Sequence, residues 1–258
     1  MIEFWQSVLL GVVEGFTEFL PISSTAHLVL TAKLLGLDQT AFTRTFEIAI
    51  QSGAILAVLA IYWRKFLDWS VLKKIAIAFI PTGVLGIIFY PVIKDHWLNN
   101  LGPMLWTLGL GGLFLILFER FFRPRQQLED LGSLGYGALV MIGIFQAVAM
   151  VPGVSRAAAT IVGGLILGMK RSVIVEFSFL LAVPTMLAAT GLDLVKNWQE
   201  FSASEFGILA VGLAASFIMA HLSIKFLLNY IRRHTFTSFG IYRIALVATI
   251  VLVGLLNR

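Results

Sequence analysis

Two glutamates near the start of the chain stand four residues apart in an otherwise apolar stretch. At this spacing, Glu14 and Glu18 project from the same face of a helix. Carboxylates held close together in a dehydrated place repel each other unless a cation or a shared proton relieves the repulsion. The pair therefore predicts a divalent metal or a cationic partner.

Hydroxyl groups and a histidine follow the two glutamates. Pro21 interrupts the helix, and Ser23, Ser24 and Thr25 stand where a second helix would begin. A helix N-terminus that carries hydroxyls and free N–H groups attracts phosphate. His27 could serve there as general acid, general base or nucleophile. Alternatively, these residues are an interfacial helix face, a helix cap and a packed histidine, but their density in 14 residues favours a site.

A second cluster brings an arginine to the same kind of apolar setting. Arg156 follows Pro152 and Ser155, and Thr160 lies four residues further on. The guanidinium is a planar fork of donors that suits phosphate oxygens and stays charged. Ser155 and Thr160 could donate to the same oxygens, or to their own helix backbone. Arg156 could instead pair with one of the two glutamates, and substrate phosphate could displace that carboxylate.

The composition indicates where these clusters lie. Of 258 residues, 59% are hydrophobic and 13% are charged, and the mean hydropathy is +0.91. Soluble domains have about 45–50% apolar and about 25% charged residues. We therefore expect an integral membrane protein, and we interpret the net charge of +5 as a topology signal and not as a nucleic-acid site. The lack of cysteine excludes thiolate metal sites and disulfides.

Hydropathy predicts two kinds of membrane segment. A span needs about 20 apolar residues, and six stretches qualify: 46–63, 75–93, 98–118, 176–192, 206–228 and 235–257. Two further regions, 4–20 with 21–35 and 135–151 with 152–168, are each broken near the middle by proline, serine and small residues. Backbone broken at membrane depth must be buried in protein or line a wet cavity. We expect an all-α protein of six transmembrane helices and two re-entrant helical hairpins.

An internal repeat links the two hairpins. A shift of 132 residues superposes the Gly11 to Leu37 stretch on the Gly143 to Met169 stretch, with five of 27 positions identical. Glu14 falls on Gln146 and Ser23 on Ser155. With one hairpin and three spans in each half, residues 1–130 and 131–258 form an inverted repeat within a single membrane domain. This plan places a site near the midplane, between the halves.

Basic residues predict the orientation. If the first hairpin enters from outside, eleven basic residues lie inside and five outside, as the cytoplasmic bias requires. Both termini then face outward. The inside set is Arg64, Lys65, Lys73, Lys74, Arg120, Arg123, Arg125, Lys170, Arg171, Arg232 and Arg233, and the outside set is Lys33, Arg44, Lys94, Lys196 and Arg258.

At the two clusters, the sequence strongly resembles the undecaprenyl pyrophosphate phosphatase family, the bacitracin-resistance type of bacterial inner-membrane lipid phosphatase. The matching motifs are Glu14-Gly-Phe-Thr-Glu18-Phe-Leu-Pro-Ile-Ser-Ser-Thr-Ala-His27, Pro152-Gly-Val-Ser-Arg156 with Thr160, and the stretch around Gln51. The likeness covers essentially the whole chain. Gln51 has an amide that could orient a carboxylate or a phosphate, although packing through its Ser-Gly neighbours is an equal alternative.

The resemblance implies hydrolysis of undecaprenyl diphosphate to the monophosphate, which recycles the lipid carrier for cell-wall synthesis and gives bacitracin resistance. Arg156 and the helix N-termini would hold the diphosphate, together with Ser155, Thr160, Ser23, Thr25 and Gln51. Glu14 and Glu18 would bind Mg²⁺ or Ca²⁺, and Ser24 or His27 would attack the terminal phosphorus or activate a water. We favour Ser24, with Glu18 and His27 as proton carriers. The lipid headgroup would reach the site from the outer side, and a homodimer is plausible.

The second motif departs from the family pattern. Ala157 and Ala158 stand where Ser-Gly is usual, and Ala26 replaces the glycine before His27. Two other classes of function stay open. One is a transporter or flippase that moves a phospholipid through the same site without hydrolysis, and the other is a membrane protein that keeps the fold and has lost activity through the change at 157.

Overall fold

Ten α-helices and two short 3-10 helices make up the regular structure of the residues that the computed structural model describes, which are 2–38, 40–96, 101–123, 128–197 and 205–256. An isolated bridge also joins Leu128 to Met169. The helices are α1 (Phe4–Thr17), α2 (Ser24–Leu34), α3 (Ala41–Tyr62), α4 (Trp69–His96), α5 (Leu101–Phe121), α6 (Tyr136–Val148), α7 (Arg156–Ile166), α8 (Arg171–Asn197), α9 (Glu205–Tyr230) and α10 (Thr237–Leu256).

Six of these helices are long and apolar enough to cross a membrane, and they confirm the six predicted spans. They are α3, α4, α5, α8, α9 and α10. Helices α4 and α8 begin at Trp69 and Arg171, earlier than predicted, because a helix continues through charged residues at which an apolar stretch is counted as ended. Some of the predictions lie outside the described residues. They are the start of the third predicted span at 98–100, the end of the sixth at 257, and the basic residues Arg125 and Arg258.

The four remaining helices form two pairs of short, neighbouring helices. Helices α1 and α2 pack together across a turn at residues 18–23, and α6 and α7 pack together across a turn at residues 149–155. Pro21 lies in the first turn and Pro152 in the second, followed by Gly153 with φ +90°. The helices therefore end where the sequence places its breaks, since proline lacks the N–H and glycine accepts positive φ.

Each pair is held by a close helix approach at a glycine. Helix α1 packs on α9, and a Cβ at Gly11 would lie 2.3 Å from the backbone oxygen of Gly212. Helix α6 packs on α4, and a Cβ at Gly143 would lie 2.1 Å from the backbone oxygen of Ala78. Small residues let membrane helices approach backbone to backbone. Gly11 and Gly143 are equivalent under the shift of 132 residues, so each close contact is made at the same position of the repeated stretch.

The main apolar core surrounds the first turn. Phe19 is fully buried and meets Phe179 of α8 edge to face, with ring centroids 5.2 Å apart. Helix α3 packs on both α8 and α9, and α5 packs on α10. The turn that carries Glu18 is therefore fixed by packing on the long helices, which sets the positions of its polar side chains.

Candidate functional site

A polar cavity lies between the two turns. Its volume of about 160 Å³ equals roughly five water molecules at ~30 Å³ each, which suits a phosphate-sized group. Seven predicted site residues line it: Glu18, Ser23, Ser24, Thr25, Gln51, Ser155 and Arg156. Three others, Glu14, His27 and Thr160, are outside its lining.

Glu18 joins the two turns. One carboxylate oxygen accepts a hydrogen bond from Arg156 Nη2 at 3.0 Å, and the other accepts one from the Ser24 hydroxyl. Arg156 Nη1 donates to the carbonyl of Ser178 at 2.9 Å. The ion pair that the sequence offered as an alternative is thus present, and it lies at the cavity. A hydroxyl bound to a buried carboxylate is the arrangement that activates a nucleophile.

Arg156 does not use all of its hydrogen-bond donors. Its Nε is buried and donates to no acceptor within the described part of the chain. The guanidinium also lies 5.7 Å from the centre of the Phe19 ring, which supports its plane. An anion that enters the cavity therefore meets a fixed guanidinium whose donors are only partly used.

Glu14 lies one helical turn before Glu18 and is fully buried. Neither of its carboxylate oxygens accepts a hydrogen bond from the residues that the structure describes. It lies close enough to Glu18 to share a proton and within electrostatic reach of Glu47 and Arg156. Burying an uncompensated carboxylate is costly, so this orphaned pair of oxygens fits a bound proton or a hard divalent cation.

The donor set has the composition that magnesium prefers. No cluster of three or more acidic, histidine or cysteine side chains capable of holding a metal occurs among the described residues. Mg²⁺ commonly takes one or two carboxylates and completes its shell with water and substrate phosphate. Glu14 and Glu18 therefore fit the predicted metal only in company with a phosphorylated ligand.

His27 has both ring nitrogens occupied. Nδ1 contacts the carbonyl oxygen of Ser23 at 2.7 Å, and Nε2 contacts the hydroxyl of Tyr242 at 2.8 Å. Since a carbonyl only accepts, Nδ1 donates, and in the neutral ring Nε2 then accepts from the tyrosine. The two rings stack at 5.6 Å with 9° between their planes. His27 thus contacts the turn backbone and not the cavity.

Ser23 has an unusual backbone conformation. Its φ is +70° and its ψ is 93°, and it is the one non-glycine residue with positive φ among the described residues. Such a conformation costs about 1–3 kcal/mol and persists where the surroundings enforce it. The hydrogen bond from His27 to the Ser23 carbonyl is one such constraint, and it presents Ser24 at the N-terminus of α2.

The hydroxyls of Ser155 and Thr160 bond to backbone atoms. Ser155 accepts from the N–H of Ala158 at 3.2 Å as the N-cap of α7, and its hydroxyl donates to the carbonyl of Leu20 at 3.4 Å. The hydroxyl of Thr160 donates to the carbonyl of Arg156 at 2.9 Å, within its own helix. Ala157 is fully buried in the main apolar core, so a side chain at 157 faces away from the cavity.

Sequence reasoning missed Arg243, which ties both turns to the long helices. This side chain in α10 is only 1% exposed. It donates to the carbonyls of Leu108 at 2.9 Å, Thr107 at 3.2 Å, Gly153 at 2.9 Å and Pro21 at 3.5 Å. A charged residue within the sixth predicted span is a signal that could have indicated Arg243. Its partners are backbone atoms, which no sequence pattern indicates.

Three further polar residues that the sequence analysis did not select line the cavity. They are Thr82, Gln146 and Thr185, from α4, α6 and α8. Gln146 donates to both threonine hydroxyls at 3.0 Å. The repeat could have indicated Gln146, since it is the counterpart of Glu14 under the shift of 132 residues. The threonines carry no comparable signal.

Six long apolar helices, with a cavity between two helix breaks that is lined by Glu18 and Arg156, define a multi-span membrane protein with an internal polar site. The sequence profile of the family described as Bacitracin resistance protein BacA matches residues 7–249. The chain belongs to this family.

Three proteins similar to this chain are named undecaprenyl-diphosphatase. The undecaprenyl-diphosphatase of Sulfurihydrogenibium sp. (strain YO3AOP1) is 50% identical over 242 residues, covering 93% of this chain and 95% of its own. The undecaprenyl-diphosphatase of Aquifex aeolicus (strain VF5) is 46% identical over 241 residues, covering 93% and 94%. That of Thermus thermophilus is 45% identical over 248 residues, covering 95% of each chain. The resemblance seen in the motifs is thus confirmed over nearly the full length.

Proposed function

We propose that this protein hydrolyses undecaprenyl diphosphate to undecaprenyl phosphate and inorganic phosphate. The observation that carries the proposal is the hydrogen-bonded chain from Arg156 through Glu18 to Ser24 in a cavity of headgroup size. The names of the similar proteins support the substrate. They give no support to a carrier that moves the lipid without hydrolysis.

The diphosphate would bind where Arg156 now holds Glu18. A phosphate oxygen would take the Nε and Nη2 donors of the guanidinium as a bidentate pair. Helices α2 and α7 begin at Ser24 and Arg156, which both line the cavity, so the free N–H groups of these N-termini would also attract the anion. Thr25, Gln51 and Ser155 line the cavity and would complete the donor set. Thr160, which donates within its own helix, would act on the substrate only by stabilising α7.

Ser24 is the nucleophile that the contacts favour. Its hydroxyl already donates to Glu18, so the carboxylate would take the proton as the oxygen attacks the terminal phosphorus. The bond from that phosphorus to the bridging oxygen breaks, the proton passes from Glu18 to that oxygen, and undecaprenyl phosphate leaves. Water then attacks the phosphoserine to release inorganic phosphate. His27 would position the turn through Ser23, since neither of its ring nitrogens is free in this arrangement.

A divalent cation, Mg²⁺ or Ca²⁺, would be held by Glu14 and Glu18. When bound, it would neutralise charge that develops on the phosphoryl oxygens. The two unpartnered oxygens of Glu14 support this assignment. Displacing Glu18 from Arg156 by substrate phosphate would free its carboxylate for the same role.

The architecture that fits this site is an inverted repeat with two re-entrant hairpins. The packing of α1 on α9 is matched by that of α6 on α4, and the packing of α3 on α9 by that of α8 on α4. Each helix of residues 1–130 thereby has a counterpart with an equivalent neighbour in residues 131–258. The short pairs α1–α2 and α6–α7 meet at the cavity, which supports the midplane location expected for such repeats.

In this proposal the protein lies in the bacterial inner membrane with both termini on the outer side. The lipid headgroup then enters from the outer side, with the isoprenoid chain against the apolar helices. Ala157 supports retained activity despite its departure from the family pattern, because it packs in the apolar core and not at the cavity. A homodimer is compatible with this arrangement.

The test is phosphate release from undecaprenyl diphosphate by purified protein in detergent, with Mg²⁺, with Ca²⁺ and with EDTA. Wild type is compared with Ser24→Ala, Glu18→Gln and Arg156→Lys. Arg171→Lys is the matched control, because Arg171 forms a bidentate ion pair with Glu119 away from the cavity.

We expect metal-dependent release by wild type and by the control. Each of the three site variants should lose at least about tenfold, which corresponds to about 1.4 kcal/mol of transition-state stabilisation. Lysine keeps the charge at position 156 but cannot form the fork. If folded wild type releases no phosphate, or if Arg156→Lys and Arg171→Lys behave alike, the proposed function is wrong.

A further inference from the structure

We propose that Gln146 is a catalytic residue that orients the water consumed in hydrolysis, through its amide oxygen. This inference rests on the proposed function. It follows from one buried atom: Gln146 is 1% exposed, and its Oε1 accepts no hydrogen bond from any described residue. The residue lines the cavity that also contains Glu18, Ser24 and Arg156.

The neighbouring hydroxyls determine which way the amide faces. Thr82 donates its hydroxyl hydrogen to the carbonyl of Gly143 at 2.9 Å, and Thr185 donates its own to the carbonyl of Leu181 at 2.8 Å. Both hydroxyl oxygens can therefore only accept from Gln146, and each does so from Nε2 at 3.0 Å. The two N–H donors of the amide are fully used. A flipped amide would lose both bonds, so Oε1 is fixed as an unpaired acceptor.

The ligand of such an acceptor must be a donor. An anionic phosphate oxygen is repelled by the amide oxygen, whereas Arg156 and Ser24 offer it donors elsewhere in the cavity. Hydrolysis supplies the donor itself, because a water molecule must reach the phosphorus. A neutral amide orients an attacking water without taking its proton, as a glutamine does in some nucleotide hydrolases.

The chemistry balances with Gln146 as an orienting group. The water donates one hydrogen to Gln146 Oε1 and gives the other to the Glu18 carboxylate as its oxygen bonds to phosphorus. The bond from phosphorus to the Ser24 oxygen, or to the bridging oxygen in a direct attack, breaks at the same time. The leaving oxygen keeps the electron pair and takes the proton from Glu18, which restores the carboxylate, and the water oxygen ends in inorganic phosphate.

Methanol distinguishes this role from a structural one. Methanol has a single O–H, which must go to the base, so it has no second hydrogen for Gln146. Wild type should therefore prefer water over methanol, and loss of the acceptor should remove that preference. The measurement is the ratio of methyl phosphate to inorganic phosphate released from undecaprenyl diphosphate in aqueous methanol, together with kcat and KM in water.

The variants are Gln146→Met, Thr185→Val and the control Gln6→Met. Gln6 is another buried glutamine, but it caps α1 and lies outside the cavity lining. We expect kcat of Gln146→Met to fall by about 10- to 100-fold, the effect of one lost oriented hydrogen bond, with KM changed less than about threefold. Its methyl phosphate ratio should rise. Thr185→Val loosens the amide and should shift the ratio in the same direction by less.

Three results would overturn the inference. They are an unchanged methanol ratio in Gln146→Met, a rise in KM with kcat unchanged, and an equal effect in Gln6→Met. If Gln146→Met does not fold, an unchanged ratio of methyl phosphate to inorganic phosphate in Thr185→Val would also overturn the inference. Wild type that releases no phosphate would refute the proposed function instead, so the two failures are separable.

Discussion

The glycine contact between α6 and α4 allows a quantitative prediction for Gly143→Ala. The added Cβ would lie 2.1 Å from the backbone oxygen of Ala78, whereas a close carbon–oxygen contact is about 3.3 Å. The helices must therefore separate by roughly 1 Å. Overpacking costs about 1–3 kcal/mol, and a backbone oxygen cannot rotate away, so we take the upper value.

The intrinsic preference of alanine for helix recovers part of that cost. Gly to Ala in a helix interior gains about 1 kcal/mol, which leaves a net loss of about 2 kcal/mol. At about 2–4 °C per kcal/mol, Tm should fall by about 4–8 °C. The hydroxyl of Thr82 donates to the carbonyl of Gly143, so the shift also disturbs the cavity, and a displacement of ~1 Å can cost ~10²-fold in rate.

The assay is thermal unfolding in one detergent at one scan rate, followed by tryptophan fluorescence, because unfolding of such proteins is often irreversible. Gly191→Ala is the matched control, since a Cβ there meets nothing within 4 Å, and it should raise Tm slightly. Gly11→Ala should behave like Gly143→Ala, because its Cβ would lie 2.3 Å from a backbone oxygen. A Tm for Gly143→Ala equal to that of the control would refute the reasoning.

Four smaller changes test other contacts. Tyr242→Phe removes the donor to His27 and should lower kcat about two- to tenfold, the effect of one hydrogen bond. An unchanged rate of phosphate release would mean that this contact does not contribute to catalysis. Ala157→Ser should leave phosphate release within about twofold, because the site faces the apolar core, and a large gain would contradict that placement. Thr160→Val removes a bond within α7 and should also keep its rate within about threefold, whereas a large loss would give Thr160 a role at the substrate. In Arg243→Lys, the lysine cannot reach the carbonyls of both turns. With three hydrogen bonds lost at about 0.6 kcal/mol each, the free energy of unfolding should fall by about 2 kcal/mol, which a thermal scan would detect. An unchanged Tm would contradict the contacts described.

The long helices could be predicted from the sequence because membrane spans depend on length and hydropathy, both of which are local properties. The two breaks could be predicted as well, since Pro21 and Pro152 act on their own backbone. Glu18, Ser24 and Arg156 were selected because charged and hydroxyl groups are rare in apolar segments, and the structure brings them together.

What could not be predicted depends on contacts across the fold. Arg243 bonds to backbone carbonyls 90 to 222 residues away, and backbone atoms are the same for every residue type. His27 lies beside the serines in the chain, but the partner of its Nε2 is the Tyr242 hydroxyl, 215 residues away. The fixed amide of Gln146 needs two threonines from separate helices, a combination that no spacing rule encodes.

The dependence of both turns on α10 has a consequence for biosynthesis. Pro21 is separated from Arg243 by 222 residues, and His27 from Tyr242 by 215. At about 5–20 residues per second, a ribosome needs on the order of 10–40 s to reach these partners after it has made the first turn. The strained Ser23 conformation thus lacks its full set of constraints until α10 enters the membrane. The site of a newly made chain is therefore completed only after α10 has been made, and a chain released before that point has the first cluster of residues without the contacts from Tyr242 and Arg243.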